Sequence, residues 1–271
     1  MNRPNLGSRK GFTLLELLVV IVVGLLVLAV VLLIIVPGSP SHERANRVMC
    51  ASKLRQIGQG LMFYANDHKG AYPQVRYKPG APLAKFTGAP ATQPFSENGP
   101  KTNDVTAALF LLIRTADLNP EVFVCPTSNQ DRDDLNSLPP DSRSNFKGQE
   151  TLSYSYAHPY PDDAAVKMGY KLDNSVIADF VIAADRNECR NRYKTTNPNA
   201  PAADIKQMNS ANHEGDGQNV MFNDGHVEWS TSPFVGANQD HIYTRHGATS
   251  GDPMTHQPEN PLDTILLPTF P

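Results

Sequence analysis

Twenty consecutive residues, Leu17 to Val36, are apolar or Gly and carry no charge. At about 1.5 Å of rise per residue, such a run spans a ~30 Å hydrocarbon core as one helix. A helix buried in a soluble core is rarely apolar on every face for that long. The run therefore predicts one membrane span, and a mean hydropathy of −0.37 excludes a multi-span protein. Arg3, Arg9 and Lys10 precede the run, with no acid before Glu16. Basic residues on the short side place that end in the cytoplasm, so the chain from about Pro37 lies across the membrane. A secretory signal would be shorter and end in a small-x-small cleavage site. Ile34-Ile35-Val36-Pro37-Gly38-Ser39 is not one, so these facts alone fit a simple signal anchor.

Glu16 breaks that simplicity. It sits at the edge of the apolar run, in Gly11-Phe12-Thr13-Leu14-Leu15-Glu16, where a carboxylate is costly without a partner. A plain anchor would gain from Leu there. If the chain is cut after Gly11, Phe12 acquires a positive α-amine. An amine from a neighbouring copy can then neutralise Glu16 and set the register of packed helices, because an unmatched charge is costly in a low dielectric.

Lys10-Gly-Phe-Thr-Leu-Leu-Glu16 followed by a long apolar helix resembles the class III signal of type IV pilins and type II secretion pseudopilins. The resemblance implies cleavage after Gly11 by a prepilin peptidase, methylation of Phe12, and an assembly role for Glu16. Its other implied partners are further pilin-like subunits and an inner-membrane assembly platform. Residues 1–11 are the expected leader and 12–36 the membrane and assembly helix, with a pilin-like globular domain over 37–271. Losing Arg3, Arg9 and Lys10 with the leader takes the side-chain charge from −3 to −6.

The remaining chain predicts an α+β, pilin-like body: a long helix packed on a small antiparallel sheet with long loops. Pro37-Gly38-Ser39-Pro40 should break or kink the first helix. From Ser41 to Lys69, Ala45, Val48, Met49, Leu54, Ile57, Leu61, Tyr64 and Ala65 recur mostly at helical spacing. Residues 71–103 read as a surface loop. Asn103 or Asp104 can cap a short helix over Val105–Thr115. Strands are expected at Glu121–Cys125, Thr151–Ala157 and Val176–Ala184. A hairpin is expected over Gln218–Trp229, turning at Asn223-Asp224-Gly225. Residues 190–212 read as polar loop, and the Pro-rich tail from Ser250 as a wrap over the surface.

Cys50-Ala-Ser-Lys-Leu-Arg-Gln-Ile-Gly58, Val122-Phe-Val-Cys-Pro126 and Asn212–Val227 are similar to segments of a bacterial family related to the major pseudopilin. That family often carries His, nine residues, then Asp-Gly. Here ten residues separate His213 from Asp224, which places the extra one in the Glu214–Gln218 loop.

Three Cys leave one unpaired within the chain. Cys50 with Cys125 is the expected pair and Cys189 the odd one; pairing through Cys189, or buried thiols, are the alternatives. His213, Asp216, Asn223, Asp224 and His226 cluster in sequence, with Asp179 and Asp185 on a neighbouring strand. Such oxygen donors suit Ca²⁺, and the resemblance implies a calcium loop, making Asp216, Asn223 and Asp224 the candidate ligands. Turn chemistry explains the same residues without a metal. No Asp-x-Asp-x-Asp-Gly loop, His-Glu-x-x-His or zinc-type Cys pair occurs, nor any Gly-x-Ser-x-Gly or Walker loop. Catalysis is not expected. Lys and Arg are scattered beyond the leader, so no nucleic-acid stripe is expected either. The expected role is a structural subunit of an envelope filament in the inner membrane. The competing role is a non-polymerising single-pass protein with a binding domain.

Overall fold

The apolar run forms one helix, α1, Leu14–Ile35. The structure is a computed structural model that describes residues 12–35, 40–188 and 195–270. The leader with Gly11, the Pro37-Gly38-Ser39 break and Cys189 lie outside the described residues. Within α1, Leu14–Leu32 is long and apolar enough to cross a membrane and buries none of its length. Two compact units divide between Arg44 and Ala45, inside the second helix, α2, Pro40–Asp67, rather than before it.

The second unit is α+β. Along α2, Cys50, Leu54, Ile57, Leu61, Tyr64 and Ala65 are buried at helical spacing. The stripe is narrower than expected, since Val48 and Met49 are exposed. The third helix, α3, Val105–Thr115, starts where Asp104 caps it, accepting from the backbone N–H groups of Thr106 and Ala107 at 3.0 and 2.9 Å. Val105 to Ile113 are all buried, so α3 is an interior helix without a solvent face. Two further one-turn helices are α4 (Asp163–Lys167) and α5 (Ala202–Lys206), the second within the stretch expected to be polar loop. Five residues carry too little periodicity to be seen in sequence.

Seven strands lie among the described residues: β1 Tyr154–Ala157, β2 Val181–Asp185, β3 Gln218–Phe222, β4 Val227–Ser230, β5 Phe234–Gly236, β6 Asp240–His241 and β7 Leu266–Leu267. Five of them form an antiparallel sheet in the order β4-β3-β2-β1-β7. β5 and β6 form a separate ribbon. Gly58 lets α2 lie close on the sheet, since a Cβ there would stand 2.7 Å from Met221 Sδ. The β3–β4 hairpin turns at Asn223-Asp224-Gly225, with Gly225 at φ +88°, a conformation glycine adopts without steric cost.

Two expectations are corrected. Residues 120–123 form a 3₁₀ turn, not a strand, because Asn119 accepts from the Glu121 N–H at 2.9 Å and Pro120 takes the first position. The Pro-rich tail does not only wrap the surface. Leu266 and Leu267 pair with β1 as an edge strand, and Ile265, Leu266, Leu267 and Phe270 are buried. Proline is compatible with an edge because it need not donate to a ladder. The expected strand over Val176–Ala184 shortens to β2, with Asp179 left exposed in the preceding turn.

Candidate functional site

The N-terminal site is built on the first turn of α1. Thr13 stands before the helix and Glu16 on its first turn. The Glu16 carboxylate accepts from Thr13 N at 2.9 Å and Thr13 Oγ1 at 3.0 Å, and Thr13 Oγ1 accepts from Glu16 N at 3.2 Å. This reciprocal pair is a capping box, which satisfies two orphan donors of the helix start. Thr-x-x-Glu ahead of an apolar run is its sequence signature, and reading Glu16 only as an intermolecular group overlooks it. Both carboxylate bonds fall on Oε2, so Thr13 leaves Oε1 unused. Phe12, next to the expected cut, is 71% exposed.

The globular unit joins Cys50 of α2 to Cys125 by a disulfide, with Cα atoms 5.5 Å apart and a sequence separation of 75. Both residues are fully buried. In the loop-entropy picture a closure of that length stabilises by roughly 4 kcal/mol. Around the bridge lies a polar cluster with no exposed member: Asp185 at the end of β2 and His213 before β3.

The candidate calcium ligands are not brought together. Asp216 precedes β3 and Asn223 follows it, so the strand's rise of about 3.3 Å per residue holds them on the order of 20 Å apart. Asp216 is exposed between Lys206 at 2.6 Å and Arg47 at 3.2 Å. The Lys206 hydrogen bond, with the charges of Lys206 and Arg47, holds its carboxyl below the ordinary carboxylate range. Asn223 is buried, accepting from Tyr72 Oη at 2.6 Å and donating to the Val176 carbonyl at 2.6 Å. Burial, aided by Asp173, pushes the Tyr72 hydroxyl up to about 12, so it remains a donor at neutral pH. Asp224 sits in the hairpin turn, bonded to the His226 N–H at 3.0 Å and ring at 2.5 Å. Those His226 bonds hold its carboxyl low. His213 and Asp224 thus stand at opposite ends of β3. Of the wider cluster, Asp224 meets His226 within the hairpin turn, and His213 meets Asp185 at 3.4 Å.

Residues 6–32 match the prokaryotic N-terminal methylation motif. The match covers the leader's second half, the capping box and most of α1. The motif supports a type IV pilin-like substrate of a prepilin peptidase, and the one helix among the described residues long and apolar enough to cross a membrane fits a single-pass anchor. No curated protein and no solved structure matches the chain.

Proposed function

We propose that this protein is a structural subunit of a bacterial envelope filament, of the type II secretion pseudopilin kind. The observation that carries the reading is the methylation motif over residues 6–32, seated on a helix start whose carboxylate is held in a capping box. In this reading the chain inserts through α1 with its N-terminus in the cytoplasm and its globular unit on the far side. The peptidase cuts after Gly11 and methylates Phe12. The assembly platform then extracts the chain into a filament.

The capping box gives this path a physical logic. Thr13 keeps Glu16 hydrogen-bonded while the subunit is alone in the bilayer, where an unsatisfied carboxylate is costly. On assembly the Phe12 amine of a neighbouring copy pairs with Oε1, which Thr13 leaves open. An exposed apolar helix then gains packing on every face, and a head-to-tail contact that does not close on itself builds a fibre. The globular unit serves as a folded body rather than an enzyme.

Intact mass spectrometry of the protein from its native membrane tests the reading. The expected mass lacks Met1–Gly11 and carries one added methyl. A full-length, unmethylated chain would overturn it in favour of a non-polymerising anchored domain.

A further inference from the structure

One ligand atom from each of Cys50, Cys125, Asp185 and His213 lies within 4.8 Å of every other, and all four residues are buried. They come from α2, the segment after the 3₁₀ turn at 120–123, β2, and the turn before β3. No short motif joins them, which is why a search for zinc-type spacing finds nothing. His213 Nε2 stands 3.7 Å from Cys125 Sγ and 3.4 Å from Asp185 Oδ2. Metal–ligand bonds of about 2.0–2.3 Å in a tetrahedral Zn²⁺ site put ligand atoms about 3.3–3.8 Å apart. The Cys–His and His–Asp edges therefore already have the length such a site needs. The two sulfurs are closer because they are bonded to each other, and every other edge of the group lies within 4.8 Å.

The surrounding groups orient these four as a metal site's outer partners would. Asp185 accepts from Asn219 N at 2.6 Å and from Asn212 Nδ2 at 3.0 Å. Thr127 Oγ1 donates to the Asn212 carbonyl and lies 3.4 Å from His213 Nδ1, so toward that nitrogen it can act as acceptor. A proton on Nδ1 leaves the Nε2 lone pair aimed at the carboxylate and the sulfur. In the metal-free protein Asn219 Nδ2 bridges the two, 3.4 Å from Nε2 and 3.3 Å from Asp185 Oδ2, a place that a bound cation would take over. The Trp229 ring closes the cluster, edge-on to His213 at 5.2 Å.

We propose that Cys50, Cys125, Asp185 and His213 form a site for one thiophilic divalent cation of the Zn²⁺ class, held by the dithiol form of the domain and displaced when the disulfide forms. Loading is Zn²⁺ plus two thiols giving a zinc dithiolate and two protons. Displacement needs a two-electron oxidant of the disulfide class. The two thiolates become the Cys50–Cys125 bond, while the oxidant's disulfide takes two electrons and two protons to become two thiols, and Zn²⁺ leaves. The metal would be acquired as the chain folds, since a site with four buried ligands has no ready entry afterwards. Cation and disulfide then share one mechanical task, tying α2 to the segment after the 3₁₀ turn before and after oxidation.

The test uses the full chain in detergent, with Cys189→Ser throughout to remove the third thiol. The protein is reduced anaerobically with a phosphine and titrated with Co²⁺. The expected result is one Co²⁺ per chain, seen as thiolate-to-cobalt charge transfer with intense tetrahedral visible bands, bleached by one equivalent of Zn²⁺. The disulfide form should bind none. Zn²⁺ should raise the melting temperature of the reduced form alone. Asp185→Asn and His213→Gln should weaken binding at least about tenfold. Should either variant fail to fold, the contrast between reduced and oxidised parent protein still decides. No tetrahedral spectrum in the reduced protein would overturn the proposal. So would an equal spectrum from the denatured chain, unchanged affinity in the folded variants, or a reduced chain that Zn²⁺ does not stabilise.

Discussion

α1 and the sheet unit solve opposite problems. Every large apolar side chain of α1 from Leu14 to Leu32 that the structure describes is more than a third exposed. In the sheet unit even charged groups are sealed inside: Asp104, Asp133, Asp185 and Asp263 are each at most 2% exposed. The helix is determined by neighbours in sequence: an unbroken apolar run, a cap and a carboxylate three residues on. The sheet unit is determined by partners far apart, as in Arg143 bonded to Asp133 at 2.6 Å or Cys50 bonded to Cys125. A local determinant can be cut out without unfolding anything. A long-range determinant cannot, because removing one partner strands the other in a low dielectric.

The largest expected effect separates two jobs carried by one local residue. Glu16→Ala should leave the globular unit's melting unchanged and abolish filament incorporation. Glu16→Gln keeps a side chain able to complete the capping box but cannot neutralise an amine. If register depends on charge, both variants fail to assemble in a co-purification assay. Incorporation of Glu16→Gln at the parent level would reduce the residue to a cap.

The next effect lies wholly in the other region. Replacing both Cys50 and Cys125 by Ala should lower the globular unit's stability by roughly 4 kcal/mol, read by denaturant melting of the full chain in detergent. Cleavage and methylation of the N-terminus should stay unchanged in mass. A processing defect would show that the regions are not separable.

These two experiments follow the line along which the sequence was legible. The membrane run, the long amphipathic helix, the Asp104-capped helix and the Asp-Gly hairpin are all written in spacing over fewer than about thirty residues, and each is present. The α+β class followed from their order. What failed was set by context. Glu121–Cys125 has strand-like composition, yet Asn119 and Pro120 wind it into a turn. Leu266 and Leu267 read as tail, yet they fill the edge beside β1. Around the N-terminal motif, the Thr13–Glu16 capping box is written within one turn, which is why a local pattern suffices there. Asp185 meeting His213 was only half visible, because adjacency of β2 and β3 is a tertiary fact.

Acid titration should sharpen the contrast, since only the sheet unit holds ionisable groups in its interior. Burial pushes His158 and His241 down to about 4. Their native state binds fewer protons than the unfolded chain between pH 4 and 6.5, so stability falls as pH drops through that window. Each contributes on the order of 3 kcal/mol at its full extent. Asp263 acts oppositely: burial, with Asp240 nearby, raises it to about 7. Its native state holds the extra proton between pH 4 and 7, so its share of stability is present in acid and lost as pH rises to 7. Asp263→Asn should therefore stabilise the neutral protein and steepen its acid loss, by on the order of 3 kcal/mol between pH 7 and 4. An unchanged pH profile would show that Asp263 is ionised throughout.

The smallest effect is expected where a long-range contact lies on the surface. Asp216 ties α2 to the turn before β3 through Arg47 at 3.2 Å and to α5 through Lys206 at 2.6 Å. All three side chains are reached by water, and exposed pairs are worth about 0–1 kcal/mol. Asp216→Asn should shift stability by less than about 1 kcal/mol, and the shift should vanish in high salt. Arg47 keeps a second hold, since its guanidinium lies 4.0 Å over the Trp229 ring, an attraction that salt screens less. Long range in sequence is thus not sufficient for a large effect. Cys50 acts strongly because its partner 75 residues away is also sealed from solvent, whereas Asp216 reaches 169 residues back to Arg47 at the surface and is expected to matter little. A loss above about 2 kcal/mol in Asp216→Asn would break that rule and make this surface cluster part of the domain's architecture.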